Sequence, residues 1–505
     1  MIKLIYRIES DYMSKKRMLI VTSVTLSVVT ISLGIVKLYQ TYALSNYIGT
    51  VTDTGIDVYI NDDSYASIPA NGSSNVYYML TNTNPGTVKY GVAYQTTSGV
   101  TVKVYDTSED PATGTIEEND KKYIKLHLEN KNSTNKTIEL STVLGYENGG
   151  DLVVPSGVTL VTDTYTPPPT AAEYITKLYT TASKTTVTNN SITYNTAPSV
   201  SLMNDRLGGT TTDLDGGNIR YYGASPNNYI YFNCSDYSNQ TSSTCETWRI
   251  IGVFDGKLKL IRGSQIGTYS WDNKDTSTGA ESNFGKNDWT TARLMKLLNP
   301  SDYYTTDSND NNLGQGLYYN SASGKCYSGQ NNATVDCNFT STGIKNDITR
   351  NMIAETTYNL GGWNSNTVYP NLMYEKERGT TVYTGRPTTP WTGKIALAYT
   401  SDYGYAADLN QCKDKTLYDY NNSTCTSNNW MKAIITNNGS NSGWLLTPYC
   451  STSSNVWYVC PVGYVYFNYT VYSAFGAVPV LSLSSELGIE SGGDGSSSNP
   501  YKLSA

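Results

Sequence analysis

Eight cysteines, all after residue 233, constrain the fold of this chain more than any other feature of its sequence. In chain order they form four close pairs, spaced 11, 11, 13 and 10 residues apart: Cys234 and Cys245, Cys326 and Cys337, Cys412 and Cys425, Cys450 and Cys460. None has the CxxC spacing of a metal or redox site. An even count with local spacing favours four short-loop disulfides in an oxidising compartment, and sequential pairing is the simplest of 105 connectivities. Buried thiols are the alternative.

The N-terminal region predicts export. Residues 18–36 carry no charge, and 19 residues at a rise of about 1.5 Å each just cross a bilayer core. Three basic residues at 15–17 precede this span and only Lys37 follows closely, so the N-terminus is expected to stay cytoplasmic. Residues 1–43 are therefore predicted to be a cytoplasmic stub and single-pass signal-anchor in the cell membrane, with the chain after about residue 40 extracellular. A signal peptide cleaved near Ala43 is the competing interpretation.

Residues 46–165 show short runs in which apolar residues alternate with polar ones. The runs are Ile56/Val58/Ile60, Val76/Tyr78/Leu80, Val88/Tyr90/Val92, Val100/Val102/Val104, Ile124/Leu126/Leu128 and Ile138/Leu140. Turn residues separate them and no helical period appears, which predicts an Ig-like β-sandwich stalk. The single histidine of the chain, His127, lies in one of these runs and is expected to face solvent.

Residues 166–199 are predicted to be a Pro-rich linker that contains one short helix. Three prolines at 167–169 make a stiff spacer. Thr170 followed by Glu173 is a capping-box signature, so a helix is expected from 171 to about 182. Residues 183–199 are rich in Thr and Asn and are interpreted as further linker.

The remaining residues, 200–505, have a different character. They contain all eight Trp and all eight Cys, with short apolar runs between long polar segments. A helix is expected at 288–298, and Trp248, Trp271, Trp289 and Trp444 are assigned to the core. This composition predicts a sparse β-rich scaffold with an α+β C-terminal part that carries long, disulfide-pinned loops.

Several classes of function are disfavoured by composition. Beyond residue 43 the chain has 30 basic and 41 acidic residues, a net charge of −11, and no basic cluster, which argues against nucleic acid as a partner. One histidine removes most Ser-His and Cys-His nucleophile arrangements and His-based zinc sites. No motif selects a cofactor or a metal, and none is expected.

The stretch 444–483 is the best candidate for a recognition surface. Tyr, Ser, Thr and Asn alternate there with apolar residues, a composition typical of a paratope rather than of an active site. Trp457 has polar neighbours and is the best candidate for an exposed aromatic residue. The candidate ligand-binding residues are Tyr449, Asn455, Trp457, Tyr458, Tyr464, Tyr466, Asn468, Tyr469 and Tyr472. A Tyr-rich hairpin that merely packs is the alternative.

Eight segments of 200–505 resemble a group of secreted or surface proteins of Gram-positive gut bacteria. They are ASPNNYIYFN, TWRIIGVFDGKLKLIR, GTYSWDN, NDWTTARLMKLLNP, SDYGYA, WLLTP, PVLSLSS and SGGDGSSSNPYKL. This group looks like a branch of the C-type-lectin-like fold related to the formylglycine-generating enzymes. The C-terminal block is also similar to variable proteins diversified by retroelements. The resemblance implies a C-type-lectin-like recognition domain at 200–505.

The enzyme branch of this resemblance carries over no catalytic residue. A formylglycine-generating enzyme needs a reactive cysteine pair and a Gly-Phe-Arg terminal segment, whereas this chain has Phe475-Gly476-Ala477. The group is also expected to have Arg before Pro-Val where this chain has Ala477-Val478-Pro479. The carboxylates available for glycoside hydrolysis include Glu281, Glu355, Glu375 and Glu377, but their spacing selects none.

The sequence therefore predicts a cell-surface ligand-binding or adhesion protein rather than an enzyme, with an unknown protein or glycan as ligand. An exported hydrolase or oxidase acting on cell-wall material, or a purely structural envelope protein, is the alternative. An enzyme would bring carboxylates or an open thiol pair into a deep cleft. A binding protein would show a shallow aromatic face and four closed disulfides.

Overall fold

The computed structural model describes residues 65–82, 85–146, 151–207, 214–274, 284–305, 313–382 and 390–504, with three two-residue strands between 45 and 56. The predicted membrane span at 18–36 lies outside these residues. Within the described part of the chain, no helix is both long and apolar enough to span a membrane. The chain divides into two compact units, residues 1–167 and residues 168–505, and it is mainly β.

The first unit is built from strands. They are β1 (Ser45–Asn46), β2 (Val51–Thr52), β3 (Gly55–Ile56), β4 (Tyr65–Ile68), β5 (Gly72–Thr81), β6 (Val88–Gln95), β7 (Val100–Tyr105), β8 (Thr113–Ile116), β9 (Lys121–Asn130), β10 (Lys136–Tyr146), β11 (Val158–Leu160) and β12 (Thr164–Tyr165). One sheet has the order β1-β5-β9-β7-β12, and a second has the order β11-β6-β10-β4 with β8 beside β6. β2 and β3 form a separate pair.

The two larger sheets share one hydrophobic core. Residues such as Tyr78 in β5, Val92 in β6 and Leu126 in β9 are fully or almost fully buried there. Successive side chains of a strand point to opposite faces, so the alternation seen in the sequence places every second residue in this core. The predicted strands between residues 76 and 140 are confirmed, whereas residues 58 and 60 lie outside the described part.

His127 is on the outward face of its sheet but is not exposed to solvent. Tyr165 of β12 stacks on the imidazole, with ring centroids 3.6 Å apart and planes 6° apart. The imidazole Nδ1 lies 2.8 Å from the side-chain oxygen of Asn75. The expectation of a solvent-facing histidine was wrong because β12 returns alongside β7 and covers it. Burial lowers the pKa of His127 below 6.5.

The second unit contains short helices and many short strands. The helices are α1 (Ala171–Thr181), α2 (Arg293–Leu298), α3 (Asp347–Met352), α4 (Pro370–Glu377), α5 (Thr400–Tyr405), α6 (Ser423–Ser427) and α7 (Trp430–Ile435), with 3-10 turns at Pro198–Val200, Ser301–Tyr303 and Leu417–Asn421. The strands are β13 (Thr185–Asn189), β14 (Ile192–Ala197), β15 (Leu202–Asn204), β16 (Ile219–Tyr221), β17 (Tyr229–Phe232), β18 (Glu246–Phe254), β19 (Lys257–Arg262), β20 (Thr268–Tyr269), β21 (Ser323–Tyr327), β22 (Thr334–Asn338), β23 (Thr356–Tyr358), β24 (Trp391–Gly393), β25 (Ile395–Ala396), β26 (Gly443–Pro448), β27 (Val456–Val459), β28 (Val465–Tyr466), β29 (Phe475–Gly476), β30 (Val480–Ser482), β31 (Gly488–Ile489) and β32 (Leu503–Ser504).

The largest sheet of this unit runs in the order β13-β14-β15-β16-β18-β19-β30-β25, with β17 also paired to β18. β18 and β19 form its central hairpin. Asp255 and Gly256 between them both have positive φ angles, 49° and 71°, as a tight hairpin turn requires. A five-stranded sheet, β20-β29-β26-β27-β28, carries the Tyr-rich stretch, and three strand pairs (β21 with β22, β23 with β24, β31 with β32) complete the unit.

The predicted linker is partly incorporated into this fold. Helix α1 is confirmed: the Thr170 side chain accepts a hydrogen bond from the Glu173 amide, and the Glu173 carboxylate accepts one from the Thr170 amide. The residues after it, expected to be linker, instead form the hairpin of β13 and β14. β14 pairs with β15 and so extends the main sheet, which makes this part of the predicted linker wrong.

The tryptophan assignments hold, while the second predicted helix is shorter than expected. Trp248, Trp271, Trp289 and Trp444 are at most 1% exposed. α2 covers only the last six residues of the predicted 288–298 helix, because turns stabilised by the Asp288 carbonyl and carboxylate precede it. All six residues of α2 are buried, so the helix has no polar face, and an amphipathic pattern could not show where it begins and ends.

Candidate functional site

The Tyr-rich stretch folds into a strand meander rather than a simple exposed hairpin. β26 pairs with β27, with Trp444 opposite Tyr458, and β27 pairs with β28, with Tyr458 opposite Tyr466. Every residue of β26 and β27 is buried. The solvent-accessible part of the stretch therefore lies in β28 and in the loops around it.

Three aromatic rings form a stack beside β28. Tyr449 stacks on Phe467 with ring centroids 4.0 Å apart and planes 6° apart. Phe467 also stacks on Tyr466, at 4.9 Å and 24°. All three side chains are partly exposed. Stacked rings restrict one another's rotamers, so the stack presents a surface that loses little side-chain entropy on binding.

Two further tyrosines extend the stack into a continuous surface. Tyr464 contacts Tyr466 at 5.8 Å between centroids, and Tyr418 contacts both, at 5.7 and 5.9 Å. Tyr418 is 44% exposed, and it comes from a separate 3-10 turn. We call the five residues Tyr418, Tyr449, Tyr464, Tyr466 and Phe467 the aromatic strip. A hydrogen bond with Cys460, together with burial, raises the pKa of Tyr464 to about 12, so its hydroxyl stays protonated at neutral pH.

A second aromatic group lies on the same sheet. Tyr469 is 51% exposed and packs edge-on against Tyr458 and Phe475, at 5.6 and 5.3 Å. The exposed Asn468 hydrogen-bonds the Tyr458 hydroxyl through its side-chain oxygen. Tyr472 is separate from the strip and stacks on Phe284, at 5.6 Å and 24°.

Three predicted binding residues are structural. Trp457 was expected to be exposed, but it is 0% exposed, in the core behind Tyr449 and Phe467. Tyr458 is 1% exposed, and the rings of Trp444, Tyr469 and Phe475 pack against it. Asn455 donates a hydrogen bond to the Phe467 carbonyl at 2.8 Å, and its own carbonyl accepts one from the Tyr449 amide, so it holds the loop together.

The sequence missed two members of the strip. Tyr418 lies outside the Tyr-rich stretch, and only the fold brings it to Tyr464. Phe467 is within the stretch and follows two tyrosines, so its position there was a signal that could have found it. The structure thus brings together Tyr449, Tyr464 and Tyr466 from the predicted set, leaves Tyr469 and Asn468 exposed beside them, and separates Tyr472.

Three of the four predicted disulfides are present: Cys234–Cys245, Cys326–Cys337 and Cys412–Cys425. The fourth, between Cys450 and Cys460, was wrong. Cys450 follows the end of β26 and Cys460 follows the opposite end of the hairpin, since Gly443 pairs with Val459 and Pro448 with Val456. The five steps along β26 from Gly443 to Pro448 span roughly 16 Å, far beyond the roughly 7 Å between Cα atoms that a disulfide allows. Burial raises the pKa of the Cys460 thiol.

Charged side chains meet in the interior of the second unit. Arg220 of β16 donates to Asp205 at 2.5 Å and to Asp402 of α5 at 2.9 Å, and Lys259 of β19 lies 2.5 Å from Asp402. The guanidinium of Arg220 also lies 4.5 Å from the ring centre of Phe254. All four charged groups are buried. We call Asp205, Arg220, Lys259 and Asp402 the buried charge cluster.

Glu377 is a fully buried carboxylate next to this cluster. It accepts hydrogen bonds from the Ser401 amide at 3.0 Å, the Ser401 hydroxyl, and the Thr447 hydroxyl at 2.8 Å. Burial raises the pKa of Glu377 above 4.5. Glu377 and the carboxylates of the cluster are satisfied by protein groups and shielded from solvent, which is the arrangement of a structural network rather than of an open catalytic cleft.

Comparisons of the chain with protein-family models, curated proteins and solved structures found no match. Across the residues that the structure describes, no group of three or more His, Cys, Asp or Glu is placed to hold a metal ion. The aromatic strip and the residues around it are therefore the candidate functional site.

Proposed function

We propose that this chain is a cell-surface ligand-binding or adhesion protein that contacts its ligand through the aromatic strip. The observation that carries the proposal is the convergence of five partly exposed rings from two separate chain segments on one surface. Exposed apolar patches mark interaction sites, and tyrosine is enriched among the residues that contribute most to binding.

The chemistry of the strip suits recognition without turnover. Four of its five members carry phenol hydroxyls, which give directional hydrogen bonds beside a large apolar area. None of the five is charged, so binding should depend little on ionic strength. Both a protein and a glycan offer the apolar patches and hydrogen-bonding groups that such a surface accepts.

The proposal includes an architecture. The first unit is interpreted as an Ig-like sandwich stalk, supported by its two five-stranded sheets around one core. The second is interpreted as a C-type-lectin-like recognition domain, supported by its long loops and three local disulfides. The span at 18–36 would anchor the chain in the cell membrane and leave both units extracellular.

The test uses the full chain on two probes, an array of immobilised glycans and an array of surface-protein peptides. The variant Tyr418→Ala/Tyr464→Ala is compared with the wild type and with Tyr65→Ala/Tyr77→Ala. The control replaces two tyrosines of the first unit that are 43% and 48% exposed. The proposal predicts that the strip variant loses the signals that the control retains. Equal loss or equal retention by both variants contradicts it.

A further inference from the structure

Lys259 of the main sheet and Asp402 of helix α5 are in direct contact. The Lys259 Nζ lies 2.5 Å from the Asp402 Oδ2, although the two residues are 143 positions apart in the chain. Lys259 is 5% exposed and Asp402 is 2% exposed. An amine and a carboxyl group are thus held in contact where solvent does not reach.

The surroundings fix the two groups in place. The Arg220 guanidinium donates to the other carboxylate oxygen, Oδ1, at 2.9 Å, and the Tyr399 amide donates to Oδ2 at 3.0 Å. The rings of Phe254 and Tyr399 lie 4.9 and 4.8 Å from the Lys259 Nζ. Asp402 is thus the ionic partner of the Lys259 amine, and aromatic rings line the rest of its described contacts.

We propose that Lys259 and Asp402 condense into an intramolecular amide that links β19 covalently to α5. The nitrogen of Lys259 bonds to the Cγ of Asp402, and the bond between Cγ and Oδ2 breaks. Oδ2 leaves as one water molecule, which carries away two protons. The reaction is a dehydration, so it needs no oxidant, reductant or activated co-reactant.

The protons are already present in the ion pair. Moving one proton from the ammonium to the carboxylate gives a neutral amine and a carboxylic acid, and the amine then attacks. Arg220 is placed to stabilise the negative charge that develops on Oδ1 in the tetrahedral intermediate. The effective concentration of two groups held in contact offsets much of the barrier that free amines and acids face in water.

The electrostatic environment affects this proton shift in two opposite ways. Burial lowers the pKa of the Lys259 ammonium although Asp402 opposes the change, which makes the neutral amine easier to reach. Burial raises the pKa of Asp402, but Lys259 and Arg220 outweigh it and hold that pKa at about 2. The ion pair is therefore the resting state before condensation, and water excluded from the site cannot hydrolyse the amide once it forms.

Mass spectrometry of the purified, reduced and denatured full chain tests the proposal. An amide on Lys259 blocks trypsin there, so peptide 258–262 should appear joined to peptide 395–413, with a mass lower by one water molecule than the sum of the two. The Lys259→Met variant keeps a side chain of similar volume but has no amine, and should give peptide 395–413 alone.

The wild-type peptide map decides the question even if the variant fails to fold. Cleavage after Lys259 together with an unmodified peptide 395–413 overturns the proposal and leaves a plain ion pair. A linked peptide that also appears in Lys259→Met would assign the link to another residue and would equally overturn it.

Discussion

The substitution Arg220→Met removes the cation at the centre of the buried charge cluster. Arg220 is 1% exposed and is the ionic partner of Asp205 at 2.5 Å and of Asp402 at 2.9 Å. Methionine fills a similar apolar volume but leaves Asp205 buried without its counter-charge. Removing one partner of a buried ion pair typically lowers the free energy of unfolding by about 3–5 kcal/mol, and we expect a loss in that range for the second unit.

Tryptophan fluorescence in a urea titration measures this loss selectively. All eight tryptophans lie between residues 248 and 457, within the second unit, so the signal reports on that unit alone. Lys325→Met is the matched control, because Lys325 and Asp336 form an ion pair whose side chains are 48% and 87% exposed. An exposed pair contributes at most about 1 kcal/mol.

We also expect a second substitution to rescue part of this loss. Asp205→Asn removes the charge that Arg220→Met leaves behind, so the double variant should be more stable than the two single losses added together predict. Equal losses for Arg220→Met and Lys325→Met would refute the claim that burial makes the cluster important. Strict additivity in the double variant would refute the claim that the two side chains are coupled.

Three further predictions concern titration and thiol chemistry. The pKa of Glu377 in the folded protein is raised above 4.5, so the stability that Glu377 contributes is present below pH 4.5 and is lost as the pH rises through the folded pKa. Glu377→Gln should flatten this dependence of the free energy of unfolding on pH, measured by urea titrations between pH 4 and 8. A constant difference in stability between the two proteins would contradict the prediction. His127 is the single histidine, so its imidazole NMR resonances are not overlapped by those of another histidine. They should titrate below pH 6.5 in the folded protein and near 6.5 in urea, whereas a folded value at or above 6.5 would show that the ring is not covered by Tyr165. A non-reducing peptide map should show three disulfides and no link between Cys450 and Cys460. The buried Cys460 thiol should be alkylated only after unfolding. Rapid alkylation of Cys460 in the native protein would mean that the β27–β28 turn is open.

Local pattern predicted the strands of the first unit well. Residues such as Val92 and Leu126 alternate with polar neighbours, and alternation by itself decides which face of a strand is buried. The capping box at Thr170 likewise fixed the start of α1, because both of its hydrogen bonds are made within four residues.

The burial of Trp457, the separation of the last two cysteines and the membership of the aromatic strip depend on contacts between residues distant in the chain. Local sequence patterns do not show such contacts. Trp457 has polar neighbours along the chain, yet its side chain lies in a hydrophobic core, where Tyr449 and Phe467 pack against it. Cys450 and Cys460 have a spacing that suits a disulfide, but the strand register separates them. Tyr418 joins the aromatic strip from another segment, so no pattern within the Tyr-rich stretch could have predicted it.

The most direct test of the central claim is an affinity ratio. For the array ligand with the strongest signal, the dissociation constant is measured for the wild type, for Tyr418→Ala/Tyr464→Ala, and for the control Tyr65→Ala/Tyr77→Ala. A hot-spot residue contributes about 2 kcal/mol or more, which corresponds to roughly thirtyfold in affinity. We predict that the strip variant binds at least about thirtyfold more weakly while the control is unchanged. Unchanged binding by a folded strip variant would contradict the assignment of the aromatic strip as the contact surface.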